Sequence, residues 1–361
     1  MTALSDPALG MSPAADGRVA TMREVAALAG VSVKTVSRVV RGEPGVSIDL
    51  TVKVTEAMRL LDYRHNLAAS NLRRGGQKTA AIGLILEDVA NPFAAALHRS
   101  VEDIARSRGT LVFAASNDEQ PGRQGEVLDA LVTRRVDGLI VMPVGYDHEV
   151  LVRERRRGLP MVFVDRLASG ADLDSVTSDN RDGARAAVRH LTARGHRRIA
   201  FVGDLRGIWT TAERYAGYVE ALALDGVALD PALVHRDVHT PASAEEVAGA
   251  LLDDPAVAPT AFFGGQNLVT IGIVRAIQRR GLQYRVAVVG FDDLELADLL
   301  DPGLTVVAQD PAAIGRAAAE QLFARLDGDP GPGKHIVVPT RLVMRGSGEL
   351  PPGRAGAEEG S

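Results

Sequence analysis

Cysteine is absent from the 361 residues. Disulfides, thiolate metal sites and cysteine nucleophiles are excluded together. Long apolar runs are also missing: no stretch of about 18 apolar residues occurs, so no helical membrane span is expected. The first 20 residues (MTALSDPALGMSPAADGRVA) have neither a basic start nor an apolar h-region. They do not read as a signal peptide, and a cytoplasmic location is expected. The loops that announce common enzyme classes are not found: no G-x-S-x-G elbow, no Walker A loop, no G-x-G-x-x-G fingerprint. His148-Glu149 lacks the second histidine of a zinc motif, because position 152 is valine. His235 and His239 have i, i+4 spacing, but LVHRDVH reads as a strand entering a loop rather than a helix. No metal, no cofactor and no enzymatic activity are expected.

What is present points to more than one domain. The length exceeds what one compact core normally serves, and 46% hydrophobic content is ordinary for a globular chain. Charge is unevenly distributed. Between Arg18 and Gly76, ten Lys/Arg face five acids; with a whole-chain charge of -5, the remainder carries -10. A basic N-terminal segment on an acidic body is the pattern of a chain with one polyanion-binding module.

Thr21-Met-Arg-Glu24 has the spacing of a capping box, which predicts a helix starting at Met22 with Val25, Ala26, Leu28 and Ala29 inward. Gly30 ends it in a tight turn. Ser32 caps a second helix to Val40, buried through Val36, Val39 and Val40. A third runs from Ser47 to about Leu61. A small residue at the crossing (Ala26), glycine at the corner and valines beneath form the register of a helix-turn-helix. The other side of the second helix carries Val33, Lys34, Ser37, Arg38 and Arg41, at offsets 0, 1, 4, 5 and 8. In a major groove, Lys34 and Arg38 can donate to guanine and Val33 can touch a thymine methyl. The alternative is a three-helix packing unit with a solvated polar face. Lys53, Arg59 and Arg64 are phosphate contacts or plain surface charge.

MREVAALAGVSVKTVSRVV, then VS, DYRHN and an alanine-rich stretch ending in Leu72, resembles the lac-repressor (LacI/GalR) family of bacterial transcription regulators. The resemblance covers residues 21 to about 346. It implies a homodimer that binds a pseudo-palindromic double-stranded DNA operator, with repression as the default output. Asn66 to Leu72 then corresponds to a hinge helix, too short to persist alone. Paired in the dimer, two such segments enter the minor groove, with Ala69 in close approach and Leu72 as the wedge. A flexible linker with an incidental leucine is the other reading.

From Ala81 apolar strand runs alternate with amphipathic helices: AIGLIL, TLVFAA, GLIVM, MVFVD, RIAFVG, TAFFG and VAVVGFD. The expected fold is α/β, with parallel sheets covered on both faces. The pattern starts over near residue 198. An all-α helix-turn-helix head is therefore expected on a body of two parallel-sheet subdomains with a cleft between, like the periplasmic sugar-binding proteins. The expected boundaries are a disordered tail over 1–20, the head over 21–65, hinge and linker over 66–79, and the body over 80–346. Within the body, 80–177 plus 309–336 form one subdomain and 178–308 plus 337–346 the other, leaving 347–361 as a disordered tail. No heptad repeat follows the body, so no tetramerising coiled coil is expected.

Ligands of open α/β sheets bind beyond the carboxyl ends of strands. That rule selects the loop from Asp88 to Phe93, then Ser116 to Asp118, Asp165-Arg166, the loop leading to Arg214, Gly265 to Asn267, and Asp292-Asp293. Such carboxylates, amides and arginines beside one aromatic suit a polyol. The resemblance implies Asn91, Phe93, Arg166, Arg214 and Asp292 as contacts to a small-molecule effector, a sugar or related metabolite. Asp118 and Gln266 join them from the strand-end rule. Any of these could instead be a surface loop residue or helix cap, and Asn91 before proline a simple turn. Two positions depart from the family. Gly265-Gln266-Asn267 stands where Ala-Asn-Asp is common, exchanging a carboxylate for an amide. Arg41 stands where asparagine is frequent. Trp209, near the expected pocket mouth, either stacks on a ligand or belongs to the core.

Overall fold

The structure, a computed structural model, describes residues 20–40, 43–63, 79–167 and 173–353. It divides into two compact units, with the boundary in sequence between Thr79 and Ala80.

Among its described residues the first unit holds three helices, α1 (Met22–Ala29), α2 (Val33–Val40) and α3 (Ile48–Leu60). The capping box forms: Glu24 N–H donates to Thr21 Oγ1, and Thr21 N–H donates to Glu24 Oε2 at 2.6 Å. Gly30 ends α1 in the left-handed region at φ 66°. Ser32 and Ser47 act as N-caps, their hydroxyls accepting from Thr35 N–H and Leu50 N–H. Val25, Ala26, Val36, Val54 and Ala57 form the buried centre. Leu28, expected inward, is half exposed at 49%.

The second unit contains two six-stranded sheets with the same strand order. In the first, β1 (Ala81–Leu86), β2 (Leu111–Ser116), β3 (Leu139–Val141), β4 (Met161–Val164), β5 (Asp174–Ser178) and β11 (His335–Val338) run in the spatial order 11-5-4-3-1-2, all parallel. In the second, β6 (Ile199–Val202), β7 (Val234–His235), β8 (Ala261–Gly264), β9 (Ala287–Phe291), β10 (Thr305–Ala308) and β12 (Arg341–Val343) run 12-10-9-8-6-7, with only β12 antiparallel. The chain leaves the first sheet after β5 and builds the second through β10. It returns to the first for β11 and ends on the second with β12.

Helices cover both faces: α4 (Pro92–Ser107), α5 (Pro121–Thr133), α6 (Glu149–Arg156) and α11 (Pro311–Leu326) on the first sheet, and α7 (Asn180–Thr192), α8 (Trp209–Leu224), α9 (Pro241–Asp253) and α10 (Asn267–Arg279) on the second. Each sheet therefore separates two apolar layers, which is why its strands read as continuous aliphatic runs. Close helix pairing depends on missing side chains. A Cβ at Gly217 of α8 would lie 2.2 Å from Arg181 O of α7, and one at Gly315 of α11 would lie 2.6 Å from Leu97 O of α4.

The chain beyond β12 is packed as far as Leu350, contrary to the tail expected from 347. Buried Ser347 donates to Val288 O and accepts from Thr305 N–H. Glu349 accepts from Thr305 Oγ1 at 2.8 Å, and Leu350 O lies 2.9 Å from His196 Nε2. Its serine and glycines resemble linker composition, while the partners that hold it lie 40 or more residues away in sequence.

Candidate functional site

In the three-helix unit, Val33 and Lys34 are exposed on one side of α2, while Ser37 and Arg38 are half-buried. Arg38 folds back on the next loop: Nη2 donates to Pro44 O at 2.8 Å, and Nε lies 3.4 Å from Glu43. The expected contacts Arg41, Ala69 and Leu72, with the whole hinge segment, lie outside the described residues.

In the body, the carboxyl ends of both sheets border one cleft lined by residues of both halves. Each sheet reverses its strand order beside its first strand, the position where open α/β sheets leave a crevice. The first half contributes Asn91 and Phe93 after β1, and Asp165 and Arg166 after β4. The second contributes Arg214 from α8, Gln266 and Asn267 after β8, and Asp292 after β9. Asn91 caps α4, accepting from Phe93 N–H at 3.1 Å. The same oxygen accepts from Asn267 Nδ2 at 2.9 Å, a hydrogen bond that crosses the cleft.

The two arginines are deeply buried and engaged. Arg166 lies 2.6 Å from Glu119, 3.3 Å from Asp165 and 3.5 Å from Glu87, and it donates to Pro143 O. Arg214 donates to Asn180 Oδ1 at 2.8 Å and to Gly265 O at 2.9 Å. Its guanidinium stacks 3.8 Å over the Phe291 ring and lies 3.8 Å from Asp292. Asp292 accepts from Gln309 Nε2 at 2.6 Å. Gln309 Oε1 is buried and has no hydrogen-bond partner among the described residues. Burial pushes the Asp165 carboxyl up, against the pull of Arg166 and Arg214. Asp165 and Asp292 occupy equivalent positions in the two halves, each after the fourth strand of its series. Both take left-handed backbone, at φ 66° and 73°. Outside glycine, Asp is among the few residues to visit that region readily.

One expected contact is corrected, and a second is placed in the cleft with its polar atoms engaged. Asp118 is not part of the cleft wall: it turns outward at φ 51° and pairs with Arg123 at 2.5 Å. Gln266 borders the cleft, but its polar atoms are used inside the protein. Oε1 accepts from Leu268 and Val269 N–H as the N-cap of α10, and Nε2 donates to Asp204 Oδ2 at 3.0 Å. Trp209 is half-buried at the start of α8, between the cleft residues Ile208 and Thr210.

Glu87, Asp204, Thr210, Thr211 and Gln309 also line the cleft and were not anticipated. Glu87 and Asp204 follow the strand runs AIGLIL and RIAFVG almost directly, so the strand-end rule reached their neighbours without naming them. Gln309 follows β10, a strand not distinguished in the sequence. His239 approaches the same end of the cleft, with Nδ1 2.7 Å from Asp204 Oδ1. That hydrogen bond, chiefly, raises the imidazole to about 9. Burial, reinforced by Glu119 and Asp204 and opposed by Arg166, lifts Glu87 to about 7.

Two family descriptions match the chain: "Bacterial regulatory proteins, lacI family" over residues 21–66 and "Periplasmic binding protein-like domain" over 188–348. The HTH-type transcriptional regulator PtxS of Pseudomonas aeruginosa is 33% identical over 335 residues, 92% of this chain and 96% of that protein. Among solved structures, the lac repressor dimer bound to operator and an anti-inducer superposes with a TM-score of 0.81 at 26% identity, covering 92% of this chain and 100% of that one. The complex of the transcriptional regulator CelR with cellobiose gives 0.69 at 30% identity, covering 91% and 99%. With its three-helix head, its paired α/β body and a relative matched over nearly its full length, this chain belongs to the lacI family of bacterial regulatory proteins and is a DNA-binding transcription regulator.

Proposed function

We propose that the chain represses transcription as a homodimer on a pseudo-palindromic operator in the cytoplasm, and that a small effector in the cleft sets its operator affinity. The observation that carries this reading is one cleft, bordered by the strand ends of two sheets and crossed by Asn267–Asn91, in a chain that also has a helix-turn-helix head. A ligand touching both halves changes their relative placement, and only a difference in its affinity for the two placements can shift the DNA-binding equilibrium. Operator contacts come from Val33, Lys34, Ser37 and Arg38, joined by Arg41, Ala69 and Leu72. Effector contacts come from Asn91, Phe93, Arg166, Arg214 and Asp292. Because both arginines are already paired with carboxylates or carbonyls, the cleft favours a neutral, hydroxyl-rich effector, a sugar or related metabolite, over an anion. The chain has no enzymatic role in this reading.

Dimerisation is assigned to the β2 edge of the first sheet, where Leu111 and Phe113 are exposed, 68% and 43%. The test is a gel shift on the DNA upstream of its own coding region, repeated over salt and a panel of sugars and nucleosides. Binding above the nonspecific background, altered by one panel member, is expected. Arg38→Ala should cost about 1–3 kcal/mol of specific affinity, and Asp292→Ala should weaken the effector response while leaving operator affinity intact. No specific fragment in the upstream region, or an unchanged Arg38→Ala protein, would refute the respective assignment.

A further inference from the structure

At one end of the cleft, three side chains from opposite halves converge without a common partner. Glu87 follows β1 of the first sheet, whereas Asp204 follows β6 and His239 follows β7 of the second. One donor atom from each lies within 4.8 Å of the others. Asp204 is held firmly, accepting from Leu205 N–H and Gln266 Nε2 and lying 2.7 Å from His239 Nδ1. That contact fixes the ring and directs Nε2 at Glu87 Oε1, 4.0 Å away. Nε2 has no hydrogen-bond partner among the described residues. Glu87 divides its oxygens: Oε2 meets Arg166 at 3.5 Å, and Oε1 faces the imidazole.

A gap of 4.0 Å is too long for a hydrogen bond. It is close to twice the roughly 2.0–2.2 Å bond that zinc makes to imidazole nitrogen or carboxylate oxygen. A carboxylate behind the far nitrogen of an imidazole is the usual support of a metal-binding histidine. We propose that Glu87, Asp204 and His239 form a site for a divalent transition-metal ion that ties the two halves of the body together at one end of the cleft. His239 Nε2 and Glu87 Oε1 are its direct ligands. Asp204 orients the imidazole, and the cleft side is left open to water or to an effector hydroxyl. The nitrogen ligand selects Zn²⁺-type ions over Mg²⁺, Ca²⁺ and Mn²⁺, which prefer oxygen-rich shells. A tetrahedral or octahedral angle at the ion brings its ligands closer than 4.0 Å, so binding draws Glu87 and His239 together and favours closure. Two protein ligands make a modest site, whose strength depends on both halves being present.

The full chain serves for the test, without operator or effector, so its outcome is separate from that of the proposed function. Zn²⁺, Mn²⁺ and Mg²⁺ are titrated calorimetrically into the protein and into His239→Gln, Glu87→Gln and His235→Gln. The expected result is one Zn²⁺ per chain in the unmodified protein, weakened at least about 10-fold by His239→Gln and by Glu87→Gln and unchanged by His235→Gln, with Mg²⁺ far weaker. Thermal melts establish that each variant is folded, and Co²⁺ visible absorption reports the ligand set, changing with either His239→Gln or Glu87→Gln. Absence of Zn²⁺ binding, or equal binding by His239→Gln, overturns the site. Loss in His239→Gln but not in Glu87→Gln overturns the bridge between the halves.

Discussion

Gln266 illustrates how a side chain at a ligand cleft can have its main duty elsewhere. Its carbonyl oxygen caps α10 through two N–H groups, and its amide holds Asp204, which in turn orients His239. The amide thus reaches His239 only through Asp204, whose other oxygen meets the imidazole. Gln266→Ala should cost about 1 kcal/mol through the lost cap, measured by denaturant unfolding, whereas Gln266→Asn should retain most of the capping. Equal stability of the alanine variant would show that the cap is redundant. At this scale much was legible. Asn91, Phe93, Arg166, Arg214 and Asp292 are all brought to one cleft, because residues that follow parallel strands are delivered to the same edge of the sheet. Asp118 also follows a strand, yet left-handed backbone turns it towards Arg123. A local dihedral is not recorded in a strand pattern.

Among the elements, the end of the chain departs most from expectation. Ser347 to Leu350 lies along the second sheet, held by Thr305, His190 and His196. Burial, above all, lowers His196 below the usual 6.5. A group with a depressed folded-state pKa supports the fold above its unfolded value and withdraws that support as pH falls through the folded one. Glu349 is lowered from 4.5, its hydrogen bonds from Thr305, Gly346 and His190 outweighing burial, and acts in the same sense further down. The amide protection factors of Ser347 and Glu349 should therefore hold at pH 7 and fall below about pH 6.5, with a further drop under about 4.5. Hydrogen exchange corrected for intrinsic rates checks this locally, and protection that is flat from pH 7 to 5 would rule it out. A global melt is less suitable, because the raised pKa values of Glu87 and His239 act in the opposite direction. The helices of the head, by contrast, were legible to within a residue. Their start signals are local side chain to backbone bonds, and Thr21, Ser32 and Ser47 each perform the capping their sequence implies.

For the whole molecule, the same strand order is used twice, the carboxyl ends of both sheets border the cleft, and the chain crosses between the two halves three times. Movement of one half against the other is therefore the cheapest large change available to the body, since both apolar layers of each sheet stay intact. The outer edge of β2 is left with exposed Leu111 and Phe113, an apolar edge of the sort that monomers seldom leave open. Leu111→Asp should yield a monomer by light scattering and reduce operator affinity at least about 10-fold, because two linked heads bind far more tightly than one. A dimer that survives Leu111→Asp would move the interface elsewhere.

By itself, the sequence determined the division into head and body, the helix-turn-helix, the doubled α/β series and the family. The first three rest on a capping box, hydrophobic periodicity and glycine turns, which are local in the chain, and the family rests on the resemblance carried by MREVAALAGVSVKTVSRVV and the segments after it. Only the tertiary structure decided that Glu87, Asp204 and His239 meet, that Gln266 is a cap, that Asp118 faces away and that the chain's end is a packed segment. Each of those depends on contacts between residues distant in sequence or on one backbone dihedral, and hydrophobic pattern carries neither.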